Sequence, residues 1–234
     1  GKCDDELLEV TTKNSLFREQ ALYVVDRESA DLWDKSLQEG PFRKLFVDQV
    51  VSAVLPKTKA PEKVAAAVQG FLKADMPELL MEMLENLVMN TSNSAFTRNK
   101  NLQNLLLLTT IRTKPDRVLE YVRRLDNYDG ADIASVCLEA NLTEEAYTIY
   151  HKYELWDEAI GVLIDHAKDF RRAEDFAHKI NKPEVWSRLG VAMLKGGVVY
   201  DGVACLMRAK DPNEYLLAIE AAKEHGEERD WGIT

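Results

Sequence analysis

The sequence lacks the elements of a disulfide framework, a zinc site or a membrane span. Its three cysteines, Cys3, Cys137 and Cys205, lie far apart, and no CxxC pair occurs. The longest apolar run, Leu105 to Leu108, is far shorter than the roughly 20 residues that a spanning helix needs. These absences predict a reducing compartment and no structural metal held by cysteine. Because the first residue is Gly1 and not methionine, we expect a piece of a longer protein.

Positive charge is also scarce. Lys and Arg total 30 against 40 Asp and Glu, which gives a formal net charge of −10. Nucleic acids and anionic lipid surfaces attract basic patches. The sequence therefore predicts no nucleic-acid partner and no direct membrane insertion.

Strand patterns are nearly absent, and helical periodicity with short breaks fills the chain. Ser15 and Ser29 are predicted N-caps, Pro61 opens a helix, and polar residues 90–101 form the longest break. Beyond Gly130 the segments become short and regular. Helices are predicted there near residues 131–140, 143–152, 155–166, 169–179, 183–195, 198–209 and 212–224.

About fifteen helices of some 12 residues, each about 18 Å long, must lie antiparallel to their neighbours when the turns between them are short. The sequence therefore predicts an all-α fold, an α-solenoid of short antiparallel helical hairpins. The alternative is a compact all-α bundle. We expect one continuous solenoid made of a first repeat array, 1–130, and a second, 131–234. Solution scattering separates the alternatives, with a radius of gyration of about 17 Å for the bundle and above about 20 Å for the solenoid.

The stretch "RLDNYDGADIA", residues 124–134, looks like a calcium loop because oxygen-bearing side chains precede a glycine. With Gly130 at the sixth position of an EF-hand loop, the first position falls on Leu125 and the twelfth on Val136, and neither side chain supplies an oxygen. Only Asn127 and Asp129 fit the pattern. The loop is therefore predicted to join two helices, with Asp129 as the N-cap of the second.

No motif predicts catalysis or cofactor binding, so we expect no enzyme and no catalytic, cofactor-binding or metal-binding residue. No HExxH, GxSxG or GxxxxGK[ST] motif occurs, and Gly196-Gly197 is interpreted as a helix C-cap. Cys137 is predicted to be a core residue. The histidines are predicted to be structural: His151, His166, His178 and His225.

Two further groups of residues are assigned a place, one at the surface and one between layers of helices. The basic pairs Arg123-Arg124 and Arg171-Arg172 are interpreted as surface residues, with ion pairing between layers or a docking point as the alternatives. The tryptophans fall at predicted helix starts and are expected to pack between layers, although a peptide-binding groove lined by them is the alternative: Trp33, Trp156, Trp186 and Trp231.

The residues resemble the clathrin heavy-chain family over almost the whole chain. The specific block is "NLQNLLLLTTIRTKPDRVLEYVRRLDNYDGADIA", residues 101–134. "NSLFREQALYVVDRESADLW", "RAEDFAHKINKPEVWSRLG" and "RAKDPNEYLLAIEAA" follow the family in the same order. Gly130-Ala131 departs from the family, in which many members have Ala-Pro. By its position in the family's order, the chain resembles the distal leg.

The resemblance implies a structural leg segment of a polyhedral coat on coated pits and vesicles, which acts in endocytosis and intracellular transport. Its partners would be other heavy-chain legs, and its place the cytosolic face of those membranes. Light chains and adaptors would bind parts of the full chain outside this fragment, so we expect the fragment to be a monomer. The alternative is an α-solenoid adaptor that binds a peptide in its concave face.

Overall fold

The computed structural model describes residues 2–58, 60–89, 94–210 and 214–230. The chain divides into two compact units, Gly1–Asp129 and Gly130–Thr234. Every regular element in the described ranges is helical, and within each unit the helices pack mainly on helices one or two places along the chain. The predicted all-α fold, an α-solenoid of short antiparallel helical hairpins, is confirmed.

In its described residues, the first unit has nine α-helices and three short helical segments of other types. A π-helix, Val50–Val54, and a 3-10 turn, Leu55–Lys57, follow α4, and a second 3-10 turn, Pro115–Arg117, precedes α9. The helices are α1 Lys2–Lys13, α2 Phe17–Arg27, α3 Ala30–Ser36, α4 Arg43–Gln49, α5 Pro61–Lys73, α6 Pro77–Met89, α7 Ser94–Thr97, α8 Lys100–Thr113 and α9 Val118–Arg124.

Within residues 130–210 and 214–230, the second unit has seven α-helices and one π-helix, Val162–His166, which continues α12. The helices are α10 Gly130–Glu139, α11 Thr143–Lys152, α12 Trp156–Gly161, α13 Phe170–Ile180, α14 Pro183–Lys195, α15 Val199–Ala209 and α16 Tyr215–Asp230. The helices predicted beyond Gly130 match these seven in order, although the first two residues of the predicted 212–224 lie outside the described residues. Within the described part of the predicted break 90–101, the short helix α7 is present.

Five turns between consecutive helices share one backbone conformation. In each turn three residues separate the helices, and the middle one has a positive φ: Ser15, Asp75, Asn141, Glu154 and Gly197. The N–H of the middle residue bonds to the carbonyl three residues back, and the next N–H bonds to the carbonyl five back, as in Asn141→Leu138 and Leu142→Cys137. These are the two bonds of a Schellman motif, which satisfy the last carbonyls of the first helix.

An apolar residue follows the left-handed position in every one of these five turns, and the next helix begins directly after it. The apolar residues are Leu16, Met76, Leu142, Leu155 and Val198. The C-cap predicted at Gly196-Gly197 is confirmed. The N-cap predicted at Ser15 is wrong, because Ser15 has φ 58° and closes α1, while α2 begins at Phe17. Ser29 does hold the N-cap position of α3, without a side-chain cap bond.

The core of each unit is a stripe of side chains from successive helices. In the first unit Trp33 is 1% exposed and packs on Phe46 and Phe71, with ring centroids 6.2 and 6.0 Å away. In the second unit α14 and α15 cross closely. A Cβ on Gly190 would lie 2.9 Å from the Gly202 carbonyl oxygen, so both positions need glycine for this packing distance.

Candidate functional site

The loop before Gly130 is bonded to the preceding long helix, α8. The Asn127 N–H donates to Gln103 Oε1 at 2.9 Å, and the Asp129 N–H donates to Asn104 Oδ1 at 2.8 Å. The Asp129 carboxylate accepts from Asn104 at 2.6 Å and pairs with Lys100 at 2.5 Å. Lys100 and then Asn104 lower the pKa of Asp129. The loop is thus bonded to α8, and the predicted N-cap bond of Asp129 stays a prediction.

Two of the four histidines pack edge-on against tryptophans. His151 lies 5.4 Å from Trp156, and His178 lies 4.8 Å from Trp186, between ring centroids. His178 Nε2 is also 3.1 Å from the Arg208 guanidinium. His166 is exposed at the end of the second π-helix, and the side chain of His225 lies outside the described residues.

Cys137 and Cys205 are buried thiols in the second unit. Burial raises the pKa of Cys137 to about 12 and that of Cys205 to about 11. Cys205 Sγ lies 4.0 Å from Met193 Sδ, whereas Cys3 is exposed. A thiol with a raised pKa is a poor nucleophile at neutral pH, so the two buried thiols serve packing.

Of the tryptophans, Trp33 and Trp186 are buried and Trp156 is half-buried. Trp156 belongs to a cluster with Tyr147, His151 and Phe176, whose ring centroids lie 5.4–6.2 Å apart. Helices α11, α12 and α13 supply these rings, which agrees with the expected packing between helices. Trp231 lies outside the described residues.

A series of ion pairs joins helices that are distant in sequence, and we call these six pairs the ladder. In each pair an acid on an earlier element meets a base 28–39 residues later. The ladder pairs are Asp5–Lys35, Asp26–Lys63, Asp34–Lys73, Glu85–Arg117, Glu144–Arg172 and Asp157–Arg188. Because the spacing is about that of one helical hairpin, the ladder connects successive layers.

Two ladder pairs are bidentate and are covered by a tyrosine ring. Arg117 donates to both Glu85 oxygens at 3.0 and 2.7 Å, and its guanidinium lies 5.0 Å from the centre of the Tyr121 ring. Arg117 lowers the pKa of Glu85. Planar pairs of this kind are the strongest ion pairs at a protein surface, and the aromatic face adds a cation–π contact.

The second bidentate pair joins α11 to α13. Arg172 donates to both Glu144 oxygens at 2.5 and 3.0 Å, and its guanidinium lies 5.4 Å from the Tyr147 ring centre. Arg172 lowers the pKa of Glu144. Arg124 instead pairs with Glu120 on its own helix, at 3.1 Å. Of the two basic pairs noted in the sequence, only the second thus supplies a ladder base.

The last ladder pair depends on a glycine. The Arg188 guanidinium contacts the Asp157 carboxylate, donates to the Asp157 carbonyl at 3.0 Å and lies 3.3 Å from Asp165. The guanidinium occupies the space that a Cβ on buried Gly161 would fill. Gly161 is the last residue of α12, where the α-helix changes to a π-helix. The absence of a side chain at Gly161 therefore leaves the space that the Arg188 guanidinium occupies.

Sequence reasoning did not find the ladder because partners some 30 residues apart leave no local signal. The available hint was charge order, since acids stand on earlier elements and bases on later ones at hairpin spacing. Among the described residues, no group of three or more His, Cys, Asp or Glu side chains is placed to hold a metal ion. Nor does any helix in the described ranges have the length and apolarity to cross a membrane.

Comparison with known proteins gives one consistent family. A family model described as "Region in Clathrin and VPS" matches residues 55–199. Clathrin heavy chain 2 of Oryza sativa subsp. japonica is 49% identical over 225 residues, which are 96% of this chain and 13% of the relative.

Relatives from other lineages match the same extent. Clathrin heavy chain 2 of Homo sapiens is 43% identical over 95% of this chain and 14% of the relative. The clathrin heavy chain of Dictyostelium discoideum is 42% identical over 98% of this chain and 14% of the relative. The chain thus spans about 13–14% of the length of these curated relatives.

Proposed function

Because this chain belongs to the family of the repeat region in clathrin and VPS proteins, we propose that it is a structural leg segment of a clathrin heavy chain. In this role it scaffolds the polyhedral coat of coated pits and vesicles in endocytosis and intracellular transport. The observation that carries the proposal is the match to clathrin heavy chains over 95–98% of this chain. We further propose that residues 1–130 and 131–234 are two arrays of the same repeat.

The proposed mechanism is mechanical. Buried stripes and ladder pairs hold the hairpins of each unit together, and the outer faces make many weak lateral contacts with the legs of other heavy chains. Weak contacts sum by avidity when many act together, yet each one opens readily, which suits reversible assembly. The excess of acidic residues makes such contacts sensitive to salt.

We propose no enzymatic role and no catalytic, cofactor-binding or metal-binding residue. In support, residues that could carry chemistry make structural contacts: His151 and His178 on tryptophans, and Cys137 and Cys205 in the core. The proposed location is the cytosolic face of coated pits and vesicles. Light chains and adaptors are proposed to bind elsewhere on the full chain.

A chimera tests this function. The segment of the Oryza sativa heavy chain that matches this chain is replaced by residues 1–234, and coat assembly of the purified trimers is followed by sedimentation and electron microscopy. We expect closed cages in a yield close to that of the unchanged heavy chain. As a control, the same segment is replaced by a linker of equal length without helical repeats, and no cages should form.

The contradicting result is a chimera that forms stable trimers but assembles no better than the linker control. Such a result would mean that the segment supplies neither the leg geometry nor the lateral contacts that coat assembly needs.

A further inference from the structure

One contact of the second unit repeats the geometry of a ladder pair with a histidine in place of the acid. Arg208 on α15 follows His178 on α13 by 30 residues, and its Nη1 atom lies 3.1 Å from His178 Nε2. The ladder pair Glu144–Arg172 joins α11 to α13 in the same way, across 28 residues. At the next step along the second unit, the base therefore meets a histidine instead of a carboxylate.

Arg208 carries a positive charge that this contact does not neutralise. Within the described ranges, no carboxylate lies at ion-pair distance from its guanidinium. Because arginine is always protonated and only donates, His178 accepts at Nε2 only as a neutral ring. A neutral acceptor leaves the charge uncompensated and uses one of the five guanidinium N–H groups. Arg208 therefore keeps the donors that a carboxylate needs.

Aromatic contacts hold the Arg208 guanidinium in position. It lies 4.9 Å from the centre of the Trp186 ring, a distance at which a cation–π contact forms. Trp186 is buried, and its indole N–H donates to Asn181 Oδ1 at 3.1 Å. The His178 ring packs edge-on against Trp186, with centroids 4.8 Å apart. A donor group that is already positioned loses less conformational entropy when it binds an acceptor.

Arg208 lines an open cleft of about 1120 Å³ at the surface of the second unit. His178, Lys210 and Glu184 supply the other ionisable side chains of the cleft, and all four side chains are exposed. The two permanent positive charges of Arg208 and Lys210 exceed the one negative charge of Glu184, in a chain whose net charge is −10. The cleft therefore attracts an anion, and Glu184 favours a singly charged carboxylate over a doubly charged phosphate group.

We propose that this cleft binds an Asp or Glu side chain from the leg of a neighbouring clathrin heavy chain. The inference rests on the proposed coat function, which supplies such neighbours, and it identifies one of the lateral contacts. Acidic residues outnumber basic ones by 40 to 30 in this chain, so legs of this type present carboxylates in excess. In the bound state the incoming carboxylate accepts two N–H groups of Arg208 and supplies the acid that this ladder position lacks.

Coat assembly of the chimeric heavy chain that carries residues 1–234 tests the proposal. Sedimentation measures the protein concentration needed for cage formation at several salt concentrations. Arg208→Met removes the guanidinium at similar length, so we expect this concentration to rise by at least about threefold at low salt. The difference should shrink as salt screens the contact in the unchanged chimera. Arg171→Met is the matched control, because Arg171 is an exposed arginine of α13 outside the cleft.

A second variant separates binding from folding. His178→Glu supplies an acid from within the chain, and the new carboxylate should pair with Arg208 as Glu144 pairs with Arg172. We expect the same loss of assembly as in Arg208→Met, because the donors of Arg208 are then occupied. The urea midpoint of the 234-residue chain should rise or stay unchanged, so the loss of assembly cannot come from a weaker fold.

A titration of the isolated chain tests the carboxylate site without the coat. The probes are the blocked peptides Ac-Ala-Glu-Ala-NH₂ and Ac-Ala-Gln-Ala-NH₂, and nuclear magnetic resonance follows the indole N–H signal of Trp186. We expect a saturable shift with the glutamate peptide and binding of the glutamine peptide at least about fivefold weaker. Arg208→Met should remove the shift, and Arg171→Met should keep it.

The proposal is wrong if Arg208→Met or His178→Glu assembles like Arg171→Met, or if the glutamate peptide gives no saturable shift. It is also wrong if His178→Glu lowers the urea midpoint together with assembly, because the contact would then serve the fold alone. An unchanged chimera that forms no cages contradicts the proposed function itself. A chimera that assembles equally well with and without the Arg208 guanidinium contradicts only the contact inferred for this cleft.

Discussion

At the scale of the residue, the left-handed turn positions show where the chain is not at its most stable. Glu154 has φ 57°, a conformation in which a Cβ is strained, whereas Asn141, with φ 60°, belongs to a residue type that tolerates it. Both residues occupy the same place in the same Schellman motif. Their side chains therefore differ in local strain and not in backbone bonding.

We expect Glu154→Gly to raise the free energy of unfolding by up to about 1 kcal/mol, because glycine removes the strain at a positive φ. Asn141→Gly should change it by less than half as much. Urea unfolding followed by circular dichroism measures both. Equal effects in the two variants would show that side-chain strain does not distinguish these turns.

Gly161 and Arg188 give a second prediction at this scale. Gly161→Ala places a methyl group where the Arg188 guanidinium lies, so the contacts with Asp157 and Asp165 are lost. We expect the free energy of unfolding to fall by about 1–2 kcal/mol. In the background Arg188→Ala the same substitution should cost much less, and a double-mutant cycle in urea measures the difference. Additive effects of the two substitutions would contradict the inference that Gly161 leaves the space in which the Arg188 guanidinium lies.

At the scale of the element, the close crossing of α14 and α15 depends on the two facing glycines. A Cβ on Gly190 would lie 2.8 Å from the Leu206 side chain and 2.9 Å from the Gly202 carbonyl oxygen. Gly190→Ala should therefore push the helices apart and lower the free energy of unfolding by about 2 kcal/mol or more. Gly40→Ala is the control, because nothing lies within 4 Å of a Cβ built there. A thermal melt that shows the same change for both variants would contradict this account.

The Glu85–Arg117 pair joins α6 to the segment before α9, and its contribution should depend on pH. Arg117 lowers the pKa of Glu85 below its ordinary value of 4.5. The stabilisation is therefore complete above that value and is lost as the pH falls through the lower pKa of the folded chain.

We expect Arg117→Met to reduce the free energy of unfolding by about 1 kcal/mol at neutral pH. This deficit should shrink as the pH falls below 4.5 and should vanish as the pH passes through the lower pKa of Glu85 in the folded chain, where the carboxylate becomes protonated. Urea titrations of both proteins at several pH values measure the deficit. A deficit that does not depend on pH would mean that the side chain stabilises by packing on Tyr121 alone.

Elements were more predictable than the contacts between them. The helices of the second unit follow from periodicity, and the predicted 143–152 and 183–195 agree with Thr143–Lys152 and Pro183–Lys195. The change from α- to π-helix at Val162 was not predictable, because apolar residues continue through it at helical spacing. Ser15 was misassigned because a serine also tolerates the left-handed turn that precedes the next helix. The ladder pairs join elements that meet only after folding, so no local pattern in the sequence indicated them.

At the scale of the whole molecule, the net charge of −10 opposes association of the chain with itself. We expect the isolated chain to be a monomer with the mass of 26.6 kDa in sedimentation equilibrium. Mixing it with clathrin light chain should give no complex, because light-chain binding is proposed to lie elsewhere on the full heavy chain. A stable complex with light chain would contradict the proposed placement in the distal leg.

The ladder has a consequence for elasticity. The layers of each unit share a buried apolar core, yet the ladder pairs lie at the surface, where water and ions compete for their charges. When one ladder pair breaks, the core between the layers stays packed. Two successive layers can therefore bend by a small angle and return without unfolding. Ionic strength should therefore change the bending stiffness between successive layers. In the proposed coat, legs of this kind should become more flexible at high salt before the coat disassembles.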